Sequence, residues 1–187
     1  MTIEGHKIIV PPGVLDPLLF RSGAWLAREV ASIARPGMSV LDLGCGTGVV
    51  GLLAQSRGAR VVATDRDPAA CAAARHNGLH DVRRGDLFEA VSHESFDLVA
   101  FNPPYWAGRP DQHRLGHALF GGDDLGVLRT FARSVRQHLR PNGQVWVALS
   151  DRAPGSAAAL GSGWQRRQET TIEDESFAIW CLAAKVR

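Results

Sequence analysis

Short apolar runs alternate with helix-spaced segments over most of the chain. "SVLDLG" from Ser39 is a compact apolar run ending in glycine, "TGVVGLLAQSRG" has helical spacing with a helix start at about Thr47, and "ARVVATD" is a second apolar run. This reads as strand, helix, strand. In "DPAACAAARHNG", Asp67 supplies an N-cap, Pro68 a first-turn residue and Gly78 a stop, which predicts a helix between them. A short strand around Asp81 to Arg84, a strand at 96–101, a helix near Asp124 to Leu139 and the strand "QVWVALS" after a "PNG" turn continue the rhythm. Such an order predicts an α/β fold whose sheet is mostly parallel, with helices on both faces.

The two ends depart from this alternation. A short strand at His6 to Val10 is expected first, then one helix or a broken pair in "LDPLLFRSGAWLAREVASIARPG", with Asp16 as cap and Pro17 at its first position. At the other end, "WQRRQETTIED" and "FAIWCLAAKVR" lie too close together for a crossover helix, so they should pair as an antiparallel hairpin. One domain is expected over 1–187, made of an N-terminal segment and helix (1–37), a core (38–150) and a C-terminal helix and hairpin (151–187).

Charge and composition narrow the function classes only modestly. The 21 basic and 19 acidic residues give a net charge of +2, too balanced to argue by itself for nucleic-acid or membrane binding. Three scattered cysteines, Cys45, Cys71 and Cys181, support neither a disulfide framework nor a zinc site, and fit a reducing cytoplasm. No apolar stretch approaches the roughly 18–20 residues that a membrane span needs.

Candidate chemistry concentrates at two strand ends. In "LDLGCGTGVVG", glycines between a strand and its helix permit positive φ and let a ligand approach the main chain, while the helix start offers free N–H groups. Gly46, Gly48 and Gly51 satisfy G-x-G-x-x-G, and Asp65 ends the next strand where a ribose-binding acid would stand. A dinucleotide and a smaller nucleoside cofactor both fit that loop.

At the second strand end, "FNPPYW", Pro103 and Pro104 stop the ladder and stiffen the corner. The Asn102 side-chain carbonyl and the Pro103 main-chain carbonyl are two acceptors that together suit both hydrogens of a planar NH2 group. Tyr105 and Trp106 offer rings to stack on a planar substrate or to face a developing cation. Asparagine cannot ionise, which argues against a general base or a metal ligand. His113 and His117 stand four apart without a third ligand, so no metal site is expected. The polar, glycine-rich stretch 107–122, with Arg109, Arg114 and His113, reads as a substrate-recognition loop.

"VLDLGCGTG" together with "FNPPYW" resembles class I S-adenosylmethionine-dependent methyltransferases, whose first motif and N-P-P-Y motif occupy these two strand ends. The resemblance runs over roughly residues 38–150 and implies a Rossmann-like, seven-stranded sheet with an antiparallel C-terminal hairpin. It implies S-adenosyl-L-methionine as cofactor, with S-adenosyl-L-homocysteine as product. Gly44, Cys45, Gly46 and Gly48 would surround the methionine part and Asp42 would fix its amino group. Asp65, followed by Arg66, would hold the ribose, Asp86 and Leu87 the adenine, and Asn102 would stand beside the methyl donor. Asn102, Pro103, Pro104 and Tyr105 would form the catalytic corner, with Trp106, Arg109 and His113 toward the substrate.

The order of N-P-P-Y, "LFGGDDLG" and a helix is similar to the HemK family of protein-glutamine methyltransferases, which act on release factors. Bacterial members carry a separate N-terminal helical domain, whereas only about 37 residues precede the core here. The build is closer to the single-domain branch, where a small partner protein is often required. Other N-P-P-Y enzymes methylate base amines, and "IIVPPGVLDPLLFRSGAWLA" also resembles the start of small ribosomal-RNA guanine methyltransferases. A protein glutamine, a nucleic-acid base and a small molecule all remain open as substrates.

Overall fold

Strand β3 (Ser39–Leu43) is buried at all of its positions because it runs between two parallel neighbours, β4 (Arg60–Asp65) and β6 (Phe96–Phe101). The computed structural model describes residues 1–109, 111 and 115–184. A two-residue hairpin, β1 (Thr2–Ile3) and β2 (His6–Lys7), stands apart from the main sheet. The main sheet also contains β5 (Val82–Arg84), β7 (Leu139–Ser150), β8 (Gln165–Ile172) and β9 (Glu175–Ala183), in the order β5-β4-β3-β6-β7-β9-β8. β5 to β7 pair in parallel, while β7–β9 and β8–β9 are antiparallel, as the hairpin predicted from sequence requires.

Both faces of the sheet are covered. Val40, Leu98, Ala100, Trp146, Ala148 and Ile179 join a core beneath helices α1 (Ser22–Ile33), α2 (Val49–Ser56) and α3 (Pro68–His76). Leu41, Leu43, Val99, Phe101, Val145 and Val147 point to the opposite core, with Phe131 of α5 (Gly126–Ser134). That alternation at period two explains why the strands read as continuous apolar runs. Two four-residue helices, α4 (Gly116–Leu119) and α6 (Ser156–Ala159), lie in the connections. Among the described residues no helix is long and apolar enough to cross a membrane.

Helix α3 matches its sequence signals, with the Asp67 side chain accepting from Ala69 N at 2.8 Å and Pro68 in the first turn. Three other expectations need correction. Asp16 caps only a turn, accepting from Leu18 N at 2.8 Å, and the helix begins at Ser22 after Arg21 takes a left-handed φ of 35°. An ion pair between Arg21 and Glu173, in the turn of the C-terminal hairpin, anchors that break. The strand at His6 to Val10 stops at Lys7, because Ile9 gives its backbone groups to the Asn77 side chain instead, at 2.9 and 3.0 Å. Finally, "PNG" is a bulge inside β7, with Asn142 at φ 64°, and the helix before it ends at Ser134 and tightens into a 3-10 turn.

This topology sets the place for a ligand. From β3 the chain moves outward to β4 and β5, then returns across β3 to β6, so the connections that leave the paired carboxyl ends of β3 and β6 turn to opposite faces of the sheet. In open α/β sheets that divergence creates the binding crevice.

Candidate active site

The loop after β3 holds Gly44 (φ 62°), Gly46 (φ 54°) and Gly48 (φ 79°), all in the left-handed region. Gly44 and Gly46 line a cavity of about 210 Å³ at the carboxyl ends of β3, β4 and β6. A Cβ at Gly44 would stand 3.1 Å from the Phe101 ring, so glycine keeps the loop close to the end of β6. Gly48 has a different task and does not line the cavity. A Cβ there would meet Leu79 at 2.7 Å and Ala74 at 3.0 Å, so its absence lets α2 begin directly against α3.

Two carboxylates face each other across the loop. Asp42 is buried, accepts from Gly51 N at 2.8 Å, and has its carboxyl pushed up to about 8, by burial first and by the like charge of Asp65 in addition, against the Gly51 hydrogen bond. Asp65 accepts from Gly46 N and Asp67 N, each at 2.9 Å, and burial raises its carboxyl as well. A carboxylate offers about four acceptor positions, so Asp65 retains two for hydroxyl donors. Between them, burial pushes the Cys45 thiol well up, with the charges of Asp42 and Asp65 adding to it. Cys45 is therefore a small neutral wall rather than a thiolate nucleophile.

At the far end of the crevice, Arg66 and Asp86 stand 4.0 Å apart, both more than half exposed. Asp86 N donates to Glu89 Oε2 at 3.0 Å, which fixes the turn, and Leu87 takes a left-handed φ of 46°. That backbone is costly for a branched residue, by about 1–3 kcal/mol, and it turns Leu87 onto the cavity wall.

Asn102 and Pro104 close the opposite end, immediately after β6. Asn102 Oδ1 is buried and has no hydrogen-bond partner among the described residues, and the same holds for Thr64 Oγ1 on the cavity wall. Leaving a buried polar group unpaired costs about 1–3 kcal/mol, so two such atoms mark where a ligand's donors belong.

Other residues named from the sequence are not among those that line the cavity. Pro103 and Tyr105 do not line it, and Tyr105 is buried in the α5-side core with its hydroxyl 3.4 Å from Ser22 Oγ. Burial raises its phenol, which stays neutral and braces the corner from behind. Trp106, its ring 6.2 Å from that of Tyr105, pairs its backbone with the Leu119–Gly121 segment. Arg109 is exposed, 3.5 Å from Asp123. His113 lies outside the described residues, as does Arg114.

A wall that the sequence did not announce comes from the N-terminal segment, where Gly13, Val14, Pro17 and Phe20 face the glycine loop. Asn77 makes this possible by holding Ile9 and also donating to Thr47 O at 3.0 Å, so one side chain ties the segment to the loop. The "HNG" signal marked only a helix end. His117 and Ala118 of α4 complete the rim beside Pro104.

Comparison with known proteins decides the family. The methyltransferase small domain family matches residues 25–180. The chain belongs to this methyltransferase family. It is 37% identical over 173 residues to the release factor glutamine methyltransferase of Cereibacter sphaeroides, covering 83% of this chain and 60% of that protein. A putative protein N5-glutamine methyltransferase of Methanocaldococcus jannaschii is 30% identical over 158 residues, covering 79% of this chain and 78% of the relative. The chain spans 45–60% of the length of four release factor glutamine methyltransferases that it matches. Among solved structures, a methyltransferase from Pyrococcus furiosus shares the fold, with a TM-score of 0.70 at 19% identity over 98% of this chain and 91% of the other.

The cofactor is therefore S-adenosylmethionine rather than a dinucleotide, and the methyltransferase cavity fits it chemically. Asp65 suits a pair of ribose hydroxyls; Asp42, whose raised carboxyl a neighbouring ammonium would return to the charged form, suits that ammonium; Cβ-free Gly44 and Gly46 admit a close approach; and the Thr64 oxygen has no partner among the described residues. Asp65→Ala should weaken S-adenosylhomocysteine binding about 10- to 100-fold, the loss of a charge-assisted hydrogen bond of roughly 1.5–3 kcal/mol. Titration calorimetry checks this, and unchanged affinity would remove Asp65 from the site.

Proposed function

We propose that this chain transfers a methyl group from S-adenosylmethionine to the side-chain amide nitrogen of a glutamine in a protein substrate, in the reducing cytoplasm that its free cysteines suit. The single observation that carries the reading is the buried Asn102 Oδ1 at the end of the cavity, which has no partner among the described residues. The names of the relatives, release factor and protein N5-glutamine methyltransferases, supply the substrate class.

S-adenosylmethionine supplies a methyl group on a sulfonium, whose departure leaves a neutral thioether. The protein's task is to present a nitrogen whose lone pair is otherwise delocalised into a carbonyl. In this reading Asn102 Oδ1 accepts one amide N–H, and the main-chain carbonyl of Pro103, which stands between the lining residues Asn102 and Pro104 without lining the cavity itself, accepts the other from a substrate seated at the corner, which fixes the plane of the NH2 group and turns its lone pair inward. As the nitrogen bonds the methyl carbon and positive charge grows on it, both acceptors strengthen without reorganising because the two prolines hold the corner rigid, and loss of one of the two N–H protons to solvent leaves the neutral N-methyl amide. Pro103 and Pro104 contribute no N–H that could compete for the substrate.

Incubating the protein with tritiated-methyl cofactor and a fractionated cell lysate tests the substrate class. Label in the protein fraction is expected. Label confined to RNA, DNA or small molecules would overturn the glutamine reading.

A further inference from the structure

Among the glycines after the corner, Gly121 is unlike its neighbour. Gly122 has a φ of 93° and needs glycine for its backbone, whereas Gly121 has no positive φ and its torsions would accept alanine. Space is what alanine lacks there, because a Cβ on Gly121 would overlap the carbonyl oxygen of Pro104. The backbone of "FGG" thus lies directly on the N-P-P-Y corner.

This contact is part of a clamp. Trp106 N donates to Leu119 O at 3.1 Å, Gly121 N to Trp106 O at 2.9 Å, and Gly108 N to Gly122 O at 3.3 Å. Gly121 O in turn accepts from Val127 N at 3.2 Å, which joins the clamp to the first turn of α5. The Phe120 ring fills the space over Gly108, where a Cβ would stand 2.8 Å from it. The corner is therefore held from below by β6 and from outside by this segment.

We propose that Gly121 is a positioning residue for methyl transfer: it lets the 119–122 segment seat on Pro104 and so sets where Asn102 Oδ1 and the Pro103 carbonyl meet the substrate amide. This rests on the reading of Asn102 and Pro103 as the amide clamp. Displacement of such acceptors by about 1 Å can cost on the order of 100-fold in rate. The atoms nearest a Cβ on Gly121 belong to Pro104 and Val127, and none of them to the Gly44–Gly46 loop or Asp65, so the change falls on the corner rather than on the cofactor's glycine loop and carboxylates.

The test uses the chain's single tyrosine, Tyr105, as a reporter inside the corner. Protein made with fluorotyrosine gives one fluorine NMR line, read alongside kcat on a purified release factor at saturating cofactor. Gly143→Ala is the control, since its Cβ would stand 2.8 Å from Phe96 O at the other end of β6, a comparable clash remote from the corner. Gly121→Ala should move the fluorine line and lower kcat about 10- to 100-fold, with S-adenosylhomocysteine affinity within about twofold of wild type. Gly143→Ala should lower the melting temperature but leave the line and kcat alone. If Gly121→Ala does not fold, Phe120→Ala, which loosens the same clamp, should give the same line shift and kcat loss. A variant pair with equal losses of kcat, or a clamp variant with a wild-type line and rate, overturns the proposal. Should wild type leave the release factor unmethylated while the line moves only in the clamp variants, the substrate reading fails and the positioning of the corner stands.

Discussion

Asn102→Ala will lower methyl transfer by about 100- to 1,000-fold, the loss expected on removing one preorganised hydrogen-bonding group from a reacting centre. Binding of S-adenosylhomocysteine will stay within about twofold of wild type, because the glycine loop, Asp42 and Asp65 are untouched. The stability of the ligand-free protein gives an independent signature. Asn102 Oδ1 is buried without a partner among the described residues, which costs about 1–3 kcal/mol in the ligand-free protein. Truncation removes that cost, so the melting temperature should hold or rise even as activity collapses. A residue that only terminates β6 would behave in the opposite way, losing stability and keeping its rate. Thermal melts and single-turnover kinetics on one preparation separate the two.

Asp42 makes the second large prediction. Its carboxyl is raised from 3.8 to about 8 in the folded protein, chiefly by burial. An acid with a raised folded pKa binds more protons in the native state than in the unfolded chain, so stability falls as pH rises between the two values. The ligand-free protein should therefore lose stability between about pH 4 and pH 8, and Asp65, raised in the same direction, adds to the slope. Asp42→Asn keeps an acceptor for Gly51 N and removes the buried charge. It should flatten the profile and stabilise the ligand-free protein at pH 8 by about 2–5 kcal/mol, since each tenfold change in proton affinity is worth about 1.36 kcal/mol and relaxation around the charge recovers part of the sum. The same variant should bind S-adenosylhomocysteine at least about tenfold more weakly, because the ligand's ammonium loses its counter-charge. Denaturant melts from pH 5 to 9 with and without the ligand show both effects. A flat wild-type profile would contradict the raised carboxyl of Asp42, and an Asp42→Asn variant that binds normally would remove Asp42 from the cofactor site.

The sequence made the local parts of this arrangement legible and left the long-range parts hidden. Helix α3 was readable because Asp67, Pro68 and Gly78 each stand close in sequence to the helix end that they mark. The alternation of apolar runs foretold the parallel strands, and the short gap after Ile172 foretold the hairpin. In contrast, Arg21 at the start of α1 pairs with Glu173, 152 positions away. The N-terminal segment becomes a wall of the cavity through Asn77, 68 positions from Ile9. Neither partnership leaves a periodic trace.

Within the site, motif spacing pointed to both strand ends but not to the division of labour. Gly48 looked equivalent to Gly44 and Gly46, yet its missing Cβ serves the packing of α2 on α3. Tyr105 looked like a substrate platform, yet its hydroxyl lies beside Ser22 and its ring in the core. Residue type specified the chemistry each position could offer, and only packing decided which way it faced.

Peptide mass spectrometry of a purified release factor, incubated with wild-type protein and S-adenosylmethionine, tests the proposal that the Asn102–Pro103 corner presents a glutamine amide to the methyl donor. One added methyl on a glutamine side-chain nitrogen is expected, absent when Asn102→Ala replaces wild type. A methyl group on a different kind of residue, or equal modification by the Asn102→Ala variant, would contradict it.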